Sequence, residues 1–133
     1  MLEKHPHPKI VCHRGVKTFA PENTPLAIGL AIGLGFNIVE IDVRQTKDGI
    51  PVILHDSSTN RTTDGSGEIK EMSYVDVCKL DAGSWFNPFF AGEPVPRLED
   101  GVLEYVLEDE LENWIVGETE HGHMPLVKKP QGA

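Results

Sequence analysis

Apolar runs and polar breaks divide the first half of the chain into strand, helix, strand and strand. Ile10-Val11-Cys12 is a short continuous apolar run that ends on His13. Such runs suit strands buried on both faces, as in parallel sheets. Pro21-Glu22-Asn23-Thr24-Pro25 follows, with Asn23 or Thr24 placed to cap a helix and Pro25 at its first position. The helix runs to about Leu34, where Gly35 stops it. It repeats Ala-Ile-Gly-Leu over 27–30 and 31–34 and carries no charge, so it has no polar face. It reads as an apolar packing helix weakened by glycine. The alternative is a partner-facing surface in which Gly29 and Gly33, one turn apart, admit close backbone approach. Phe36 to Val43 reads as the next strand, Asp48-Gly49 as a hairpin turn, and Ile50 to Leu54 as the returning strand. With Asp48 and Gly49 in the two turn positions, Lys47 pairs with Ile50, Arg44 with Ile53 and Asp42 with His55. A bulge would shift this by one residue and spoil the alignment.

The second half is less regular. Residues 56 to about 97 are rich in Ser, Thr, Gly, Asp and Pro, with aromatics at Trp85, Phe86, Phe89 and Phe90. They read as an irregular excursion with its own small apolar cluster. Leu98 to Leu111 has helical spacing at Val102, Leu103, Val106, Leu107 and Leu111. Trp114-Ile115-Val116 reads as a short strand, and from Glu118 onward the polar, Pro- and Gly-containing sequence reads as a loose tail.

At 133 residues the chain is the size of one ordinary domain. The net charge of -9 argues against nucleic-acid binding, since Lys128-Lys129 is the largest basic cluster. Two cysteines, Cys12 and Cys78, are too few for a disulfide framework, and Cys12 reads as a small buried residue in a reduced, cytoplasmic setting. Met1 to Lys9 has no apolar signal segment. The most apolar stretch, Pro25 to Val39, is shorter than the ~20 residues of a membrane span, so no membrane anchor is expected.

Four short motifs carry the candidate chemistry: His13-Arg14-Gly15, Glu22-Asn23-Thr24, Glu40-x-Asp42 and His55-Asp56. Glu40 and Asp42 are two apart on a predicted strand, so their side chains share a face. Two carboxylates there repel, and a hard divalent cation, Mg²⁺ or Ca²⁺, relieves the repulsion. Histidine titrates near neutrality, so His13 and His55, each at a strand end, suit a base and an acid across a scissile bond. The planar fork of Arg14 suits bidentate contact with phosphate. Gly15 allows a sharp turn. Glu22 and Asn23 are placed to orient the site, although helix capping accounts equally well for Asn23. His121-x-His123 has a metal-like spacing but sits in the tail, and Gly65-Ser66-Gly67 reads as a turn.

These motifs, in this order, resemble the glycerophosphodiester phosphodiesterase family. The matching segments are Val11-Cys12-His13-Arg14-Gly15, Pro21-Glu22-Asn23-Thr24, Val39-Glu40-Ile41-Asp42-Val43 and Lys47-Asp48-Gly49. They continue through Leu54-His55-Asp56, Arg61-Thr62-Thr63-Asp64-Gly65, Leu80-Asp81-Ala82-Gly83-Ser84-Trp85-Phe86 and Val95-Pro96-Arg97-Leu98-Glu99. The resemblance implies an α/β fold of the TIM-barrel type, as in phospholipase-C-like phosphodiesterases. It also implies hydrolysis of a small glycerophosphodiester to glycerol 3-phosphate and an alcohol. Carried over, His13 and His55 are the acid/base pair, Arg14 contacts the phosphate, and Glu40 and Asp42 hold the divalent metal. The segment 56–97 is the family's small insertion over the barrel mouth.

The family-like text covers residues 9–107, and 108–133 diverges. A complete barrel takes roughly 250 residues, about twice this chain, so 1–133 reads as a single incomplete domain holding roughly the first half. The family's further metal carboxylate, with a lysine close behind it, has no match here. Glu118 and Glu120 are the nearest substitutes. A half-barrel exposes strand edges and apolar faces, which leaves three expectations: a truncated product, ranked first; pairing with another chain; or a poorly stable remnant. The corresponding functional readings are an active metal-dependent phosphodiesterase and an inactive fragment with a partial metal and phosphate site. A hydrolase of a related lysophospholipid headgroup is a third.

Overall fold

Val11–His13 forms β1 and Pro25–Gly33 forms α1. Ile38–Gln45 forms β2, and the chain returns through Pro51–Ile53 as β3. Tyr74–Val77 is a one-turn helix, α2, and Leu98–Leu103 is α3. Trp114–Val116 and Met124–Lys128 are β4 and β5. The computed structural model describes residues 10–36, 38–103, 114–116 and 124–128, with side chains for 10–36 and 38–100.

β2 is the hub of the sheet. β1 runs parallel to it, with His13 opposite Glu40. β3 runs antiparallel to it, with Val43 opposite Ile53. β5 is also antiparallel to β2, over Glu40 to Val43, and β4 pairs with β5. Glu40 is paired with both His13 and Val127, and Val43 with both Ile53 and Met124. A strand residue has one partner on each edge, so β1 and β3 share one edge of β2 while β5 takes the other. β1 climbs that shared edge, β3 descends it, and both stop at the middle of β2. Arg14 N–H donates to the Glu40 carbonyl at 2.8 Å, and Leu54 N–H donates to the Asp42 carbonyl at 3.0 Å. The two strand ends that carry His13 and His55 thus converge on the stretch from Glu40 to Asp42.

The hairpin register differs by one residue from the two-residue turn expected. Arg44 lies opposite Val52 and Gln45 opposite Pro51. The cause is the side chain of Thr46. Its Oγ1 donates to Asp48 Oδ1 at 2.6 Å and accepts from Ile50 N–H at 3.0 Å, and Thr46 N–H donates to the Ile50 carbonyl at 3.0 Å. These bonds close a longer loop over 46–50, with Gly49 at φ +82°. Asp42 therefore faces Leu54 rather than His55, and His55 directly follows Leu54, whose N–H donates to the Asp42 carbonyl.

β2 alternates faces with period two. Val39 and Ile41 join Ile28 and Ala31 of α1, with Cys12, Val16 and Ile53, in the main apolar cluster. Glu40, Asp42 and Arg44 take the opposite face. Thr24 caps α1, accepting from Ala27 N–H at 3.3 Å while donating to the Pro21 carbonyl at 2.7 Å. A Cβ at Gly33 would meet nothing within 4 Å, so that position makes no close backbone approach within the chain. Leu26 and Leu34 remain exposed on α1. β1 is not buried on both faces as expected: only Cys12 is buried, because among the described residues β1 is an edge strand.

The excursion has its own apolar cluster, as expected, but aliphatic side chains build it. Val52, Leu54, Ile69, Val77, Ala82 and Val95 are buried together. The aromatics instead form an edge-to-face ladder on the surface, Trp85 to Phe86 to Phe90 to Phe89, with centroids 5.3–5.8 Å apart. The expected strand at Trp114–Val116 is present, and the expected helix from Leu98 is seen to Leu103, its remainder lying outside the described residues. The loose tail is corrected: Met124–Lys128 is a strand. Pro125 argued against one, but it lies beyond the stretch of β5 that β4 pairs, where a missing N–H is tolerated. His121, His123, Glu118 and Glu120 lie outside the described residues. Among the described residues no helix is long and apolar enough to cross a membrane.

Gly15 ties the β1 end to α1. It has φ +79°, and a Cβ there would lie 2.6 Å from the Ala27 carbonyl carbon. Gly15→Ala should destabilise the fold by about 2 kcal/mol or more, combining backbone strain and overpacking. Urea unfolding measures this, and an unchanged midpoint would refute the close approach.

Candidate active site

The site is built where β1 ends. Arg14 and Asn23 both adopt left-handed backbone, at φ 59° and 58°. That conformation is uncommon for non-glycine residues and is strained for arginine. Two hydrogen bonds hold it: Arg14 N–H to the Glu40 carbonyl, and Asn23 N–H to the Arg14 carbonyl at 2.9 Å. The turn they fix aims Arg14 and Asn23 at the polar face of β2.

Asp42 lies there, 2 % exposed. Asn23 Nδ2 donates to Asp42 Oδ2 at 3.1 Å, and the Asp42 N–H donates to Asn23 Oδ1 at 3.4 Å. Helix capping falls to Thr24, which leaves Asn23 for this reciprocal strap. Arg14 Nε stands 3.5 Å from Asp42 Oδ2, close enough for ion pairing but without a hydrogen bond. Arg14 Nη1 donates to Glu22 Oε2 at 3.0 Å.

A second guanidinium extends this network. Arg61 grips Glu22 with Nη1 to Oε1 at 2.7 Å and Nη2 to Oε2 at 3.0 Å. Its Nε donates to Asp56 Oδ2 at 2.9 Å. Asp56 in turn sits 2.6 Å from His55 Nδ1 through Oδ1. A continuous chain of charged contacts thus runs from Arg14 through Glu22, Arg61 and Asp56 to His55. Arg61's hydrogen bonds, aided by His55, pull the Asp56 carboxyl down to about 2. Burial pushes the Glu22 carboxyl up, but Arg61 and Arg14 outweigh it and leave it below its usual range. Both carboxylates are acceptors only, so His55 donates from Nδ1 and Nε2 is its basic nitrogen.

His13 is differently held. Lys17 Nζ lies 2.8 Å from its Nδ1. An ammonium has no lone pair, so Nδ1 accepts and Nε2 carries the proton in the neutral ring. Burial, then Arg14 and Lys17, push its pKa below the ordinary value, so the ring is neutral at pH 7. Its Nε2 is 3.7 Å from Glu40 Oε2, too far for a hydrogen bond. This contact is a neutral imidazole beside a carboxyl group. Burial and the charge of Asp42 push the Glu40 carboxyl up. Glu40 Oε1 is buried with no hydrogen-bond partner.

All five residues singled out as site residues, His13, Arg14, Glu40, Asp42 and His55, thus belong to one neighbourhood around the middle of β2. Sequence reasoning left out Lys17, and it gave Asp56 and Arg61 no role. Arg61 stood in the Arg61-Thr62-Thr63-Asp64-Gly65 segment, but only folding reveals which carboxylates it joins.

The solved structures this chain resembles define its class, an α/β phosphodiesterase fold of the TIM-barrel type. A glycerophosphodiester phosphodiesterase from Agrobacterium tumefaciens matches 71 % of this chain and 41 % of its own, at 45 % identity and TM-score 0.68. A phosphodiesterase from Oleispira antarctica, solved with the product sn-glycerol-3-phosphate, matches 72 % of this chain and 39 % of its own, at 43 % identity and TM-score 0.70. The glycerophosphodiester phosphodiesterase of Caldanaerobacter subterraneus subsp. tengcongensis is 38 % identical over 112 residues, 80 % of this chain and 46 % of the relative. Residues 13–128 match the Glycerophosphoryl diester phosphodiesterase family, and the chain belongs to that family. It spans less than half the length of these relatives.

The Asp56 network makes a pH prediction. A carboxyl at about 2 in the fold and 3.8 in the ordinary state stabilises the fold above about pH 4 and loses that contribution as pH falls toward 2. Asp56→Asn removes the titrating group. The stability gap between wild type and variant, from urea unfolding at pH 5, 4 and 3, should therefore narrow as pH falls. A constant gap would show that Asp56 is not held by Arg61.

Proposed function

We propose that the domain represented by this chain hydrolyses glycerophosphodiesters to glycerol 3-phosphate and an alcohol, with Mg²⁺ or Ca²⁺ as cofactor. The observation that carries the reading is Glu40 Oε1, a buried carboxyl oxygen without a partner, on the same strand face as Asp42. An orphaned oxygen beside a second carboxylate suits a hard divalent cation, and Mg²⁺ is commonly held by one or two carboxylates with water and substrate phosphate completing its shell. Glu40 and Asp42 would hold it. When bound, such a cation supplies charge neutralisation at the phosphoryl oxygens.

The chain's own residues do the rest. Arg14, anchored by Glu22, offers its guanidinium to the phosphate. His55 accepts the proton of the attacking hydroxyl on Nε2. Where that hydroxyl is water, the product is glycerol 3-phosphate directly; where it is a neighbouring glycerol hydroxyl, the cyclic phosphodiester formed is opened by water with the two histidines exchanging roles. Asp56 holds the tautomer and stabilises the imidazolium that results. His13 gives its Nε2 proton to the departing alkoxide, and the Lys17 ammonium at Nδ1 stands ready to replace it.

One observation favours a second reading, a fragment that binds metal without turnover. Among the described residues no group of three or more His, Cys, Asp or Glu side chains is placed to hold a metal ion. Among the same residues β1 and β4 each pair on one edge only. We read those edges as the places where further strands, of this domain or of another chain, would complete the sheet.

The test is choline and glycerol 3-phosphate release from glycerophosphocholine with Mg²⁺, Ca²⁺ or EDTA. The enzyme reading expects turnover that EDTA abolishes and that His13→Ala or His55→Ala lowers by about 100-fold or more. A silent protein whose Mg²⁺ or Ca²⁺ binding is lost in Glu40→Gln would establish the second reading instead.

A further inference from the structure

Most described cations of this acidic chain are spoken for. Arg14 and Arg61 hold Glu22, Lys79 holds Asp76, and Arg97 holds Asp100. Lys17 lies on His13. Of the cations whose side chains are described, the remaining three, Arg44, Lys47 and Lys70, form no ion pair with a carboxylate among the described residues, and all three line one cavity of about 400 Å³. Thr46 and Ser57 add hydroxyl groups to its wall, and Glu68 is its single carboxylate. The lining therefore carries two more cations than anions, in a chain whose net charge is -9. Unpaired cations concentrated in a cleft focus a positive field and favour a multiply charged anion.

The cavity adjoins the site. Arg44 follows Glu40 and Asp42 on the same face of β2, by the two-residue period of a strand. Its Nε donates to the His55 carbonyl at 2.8 Å, which fixes the guanidinium at the boundary between the two. Ser57 lies two residues beyond His55, a reach of roughly 7 Å of chain. The side of Arg44 not used by His55 leaves Nη donors for an oxyanion, and a guanidinium matches phosphate geometry.

We propose that this cavity is a second oxyanion subsite that takes a phosphate-class group. In the diester reaction proposed above, on which this substrate assignment rests, it selects substrates whose alcohol carries a second phosphate. A choline headgroup, being cationic, is disfavoured there.

The experiment is a ¹H–¹⁵N NMR titration of the full chain, following the Arg44 Nε–H and the Ser57 and Lys70 amides for the cavity, and Arg14 Nε–H for the site. The probes are inorganic phosphate, glycerophosphocholine and glycerophosphoinositol 4-phosphate. The expected result is saturable shifts of the cavity resonances with phosphate and with the phosphorylated diester, and none with glycerophosphocholine. The phosphorylated diester should bind about ten-fold tighter than glycerophosphocholine. The Lys47→Gln, Lys70→Gln double variant should lose both the cavity shifts and that preference. Both positions are exposed, so retained spectral dispersion verifies that the variant folds.

Absence of cavity shifts with either phosphorylated probe, or shifts unchanged in the double variant, overturns the subsite. Shifts with phosphate alone, with the two diesters bound equally, show that free phosphate is the ligand and overturn the substrate assignment. Failure of the parent reading looks different: no diester then moves Arg14 and no turnover is seen, while the cavity resonances still report on phosphate.

Discussion

Two carboxylates on one face of a largely buried strand are the constraint to which the rest of the site answers. The period of a strand puts Glu40 and Asp42 side by side, and burial raises the cost of their mutual repulsion. The fold relieves Asp42 with protein groups: an amide strap from Asn23 and the guanidinium of Arg14 at 3.5 Å. Delivering both from one loop requires the left-handed backbone at Arg14 and Asn23 and the unhindered Gly15 between β1 and α1. The strain at Arg14 is thus tied to a specific electrostatic task. Glu40 feels the charge of Arg14 at longer range, but burial and Asp42 outweigh it, and its Oε1 is buried without a hydrogen-bond partner.

Sheet topology supplies the second half of the arrangement. A parallel strand and an antiparallel strand placed end to end on one edge of β2 must leave a junction, and the junction falls at Glu40 to Asp42. Chain segments 40 residues apart in sequence thereby deliver a histidine each to the same place. The Arg61 fork then ties the loops that follow the two strands, joining Glu22 to Asp56. Each histidine emerges with a different tautomer because its Nδ1 meets a different kind of partner, an ammonium for His13 and a carboxylate for His55.

Much of this was legible in the sequence, and what was not has physical causes. The alternation around Glu40-x-Asp42 and the proline after Thr24 declared β2 and α1 through local rules. The hairpin register escaped because Asp48-Gly49 signals a tight turn, whereas the Thr46 hydroxyl, a side-chain effect, lengthens the loop by binding Asp48 and Ile50 N–H. The strand Met124–Lys128 escaped because Pro125 breaks an isolated strand but not one whose outer neighbour starts later. The sequence named the excursion's aromatics and an apolar cluster without saying which side chains build it, and the fold uses aliphatics for the cluster and sets the rings beside one another outside it. Lys17 and Arg61 carry no local signature, since their meaning lies entirely in which carboxylate or imidazole the fold sets beside them.

The charge balance of the assembled site bears on whether it is whole. In its connected network two guanidiniums, Arg14 and Arg61, meet three carboxylates, Glu22, Asp42 and Asp56, and Glu40 adds a fourth beside them. Lys17 stands on His13 at the exposed rim, where water and salt weaken its reach. Among the described side chains the carboxylates of this centre outnumber its guanidiniums. The same shortage does not extend to the neighbouring cavity, where Arg44, Lys47 and Lys70 outnumber Glu68. Among the described residues, three cations without an ion pair thus stand beside a centre in which carboxylates outnumber guanidiniums. The substrate class we propose, a diester with a further phosphate, would be met at one end by the site around Glu40 and Asp42 and at the other by this cavity.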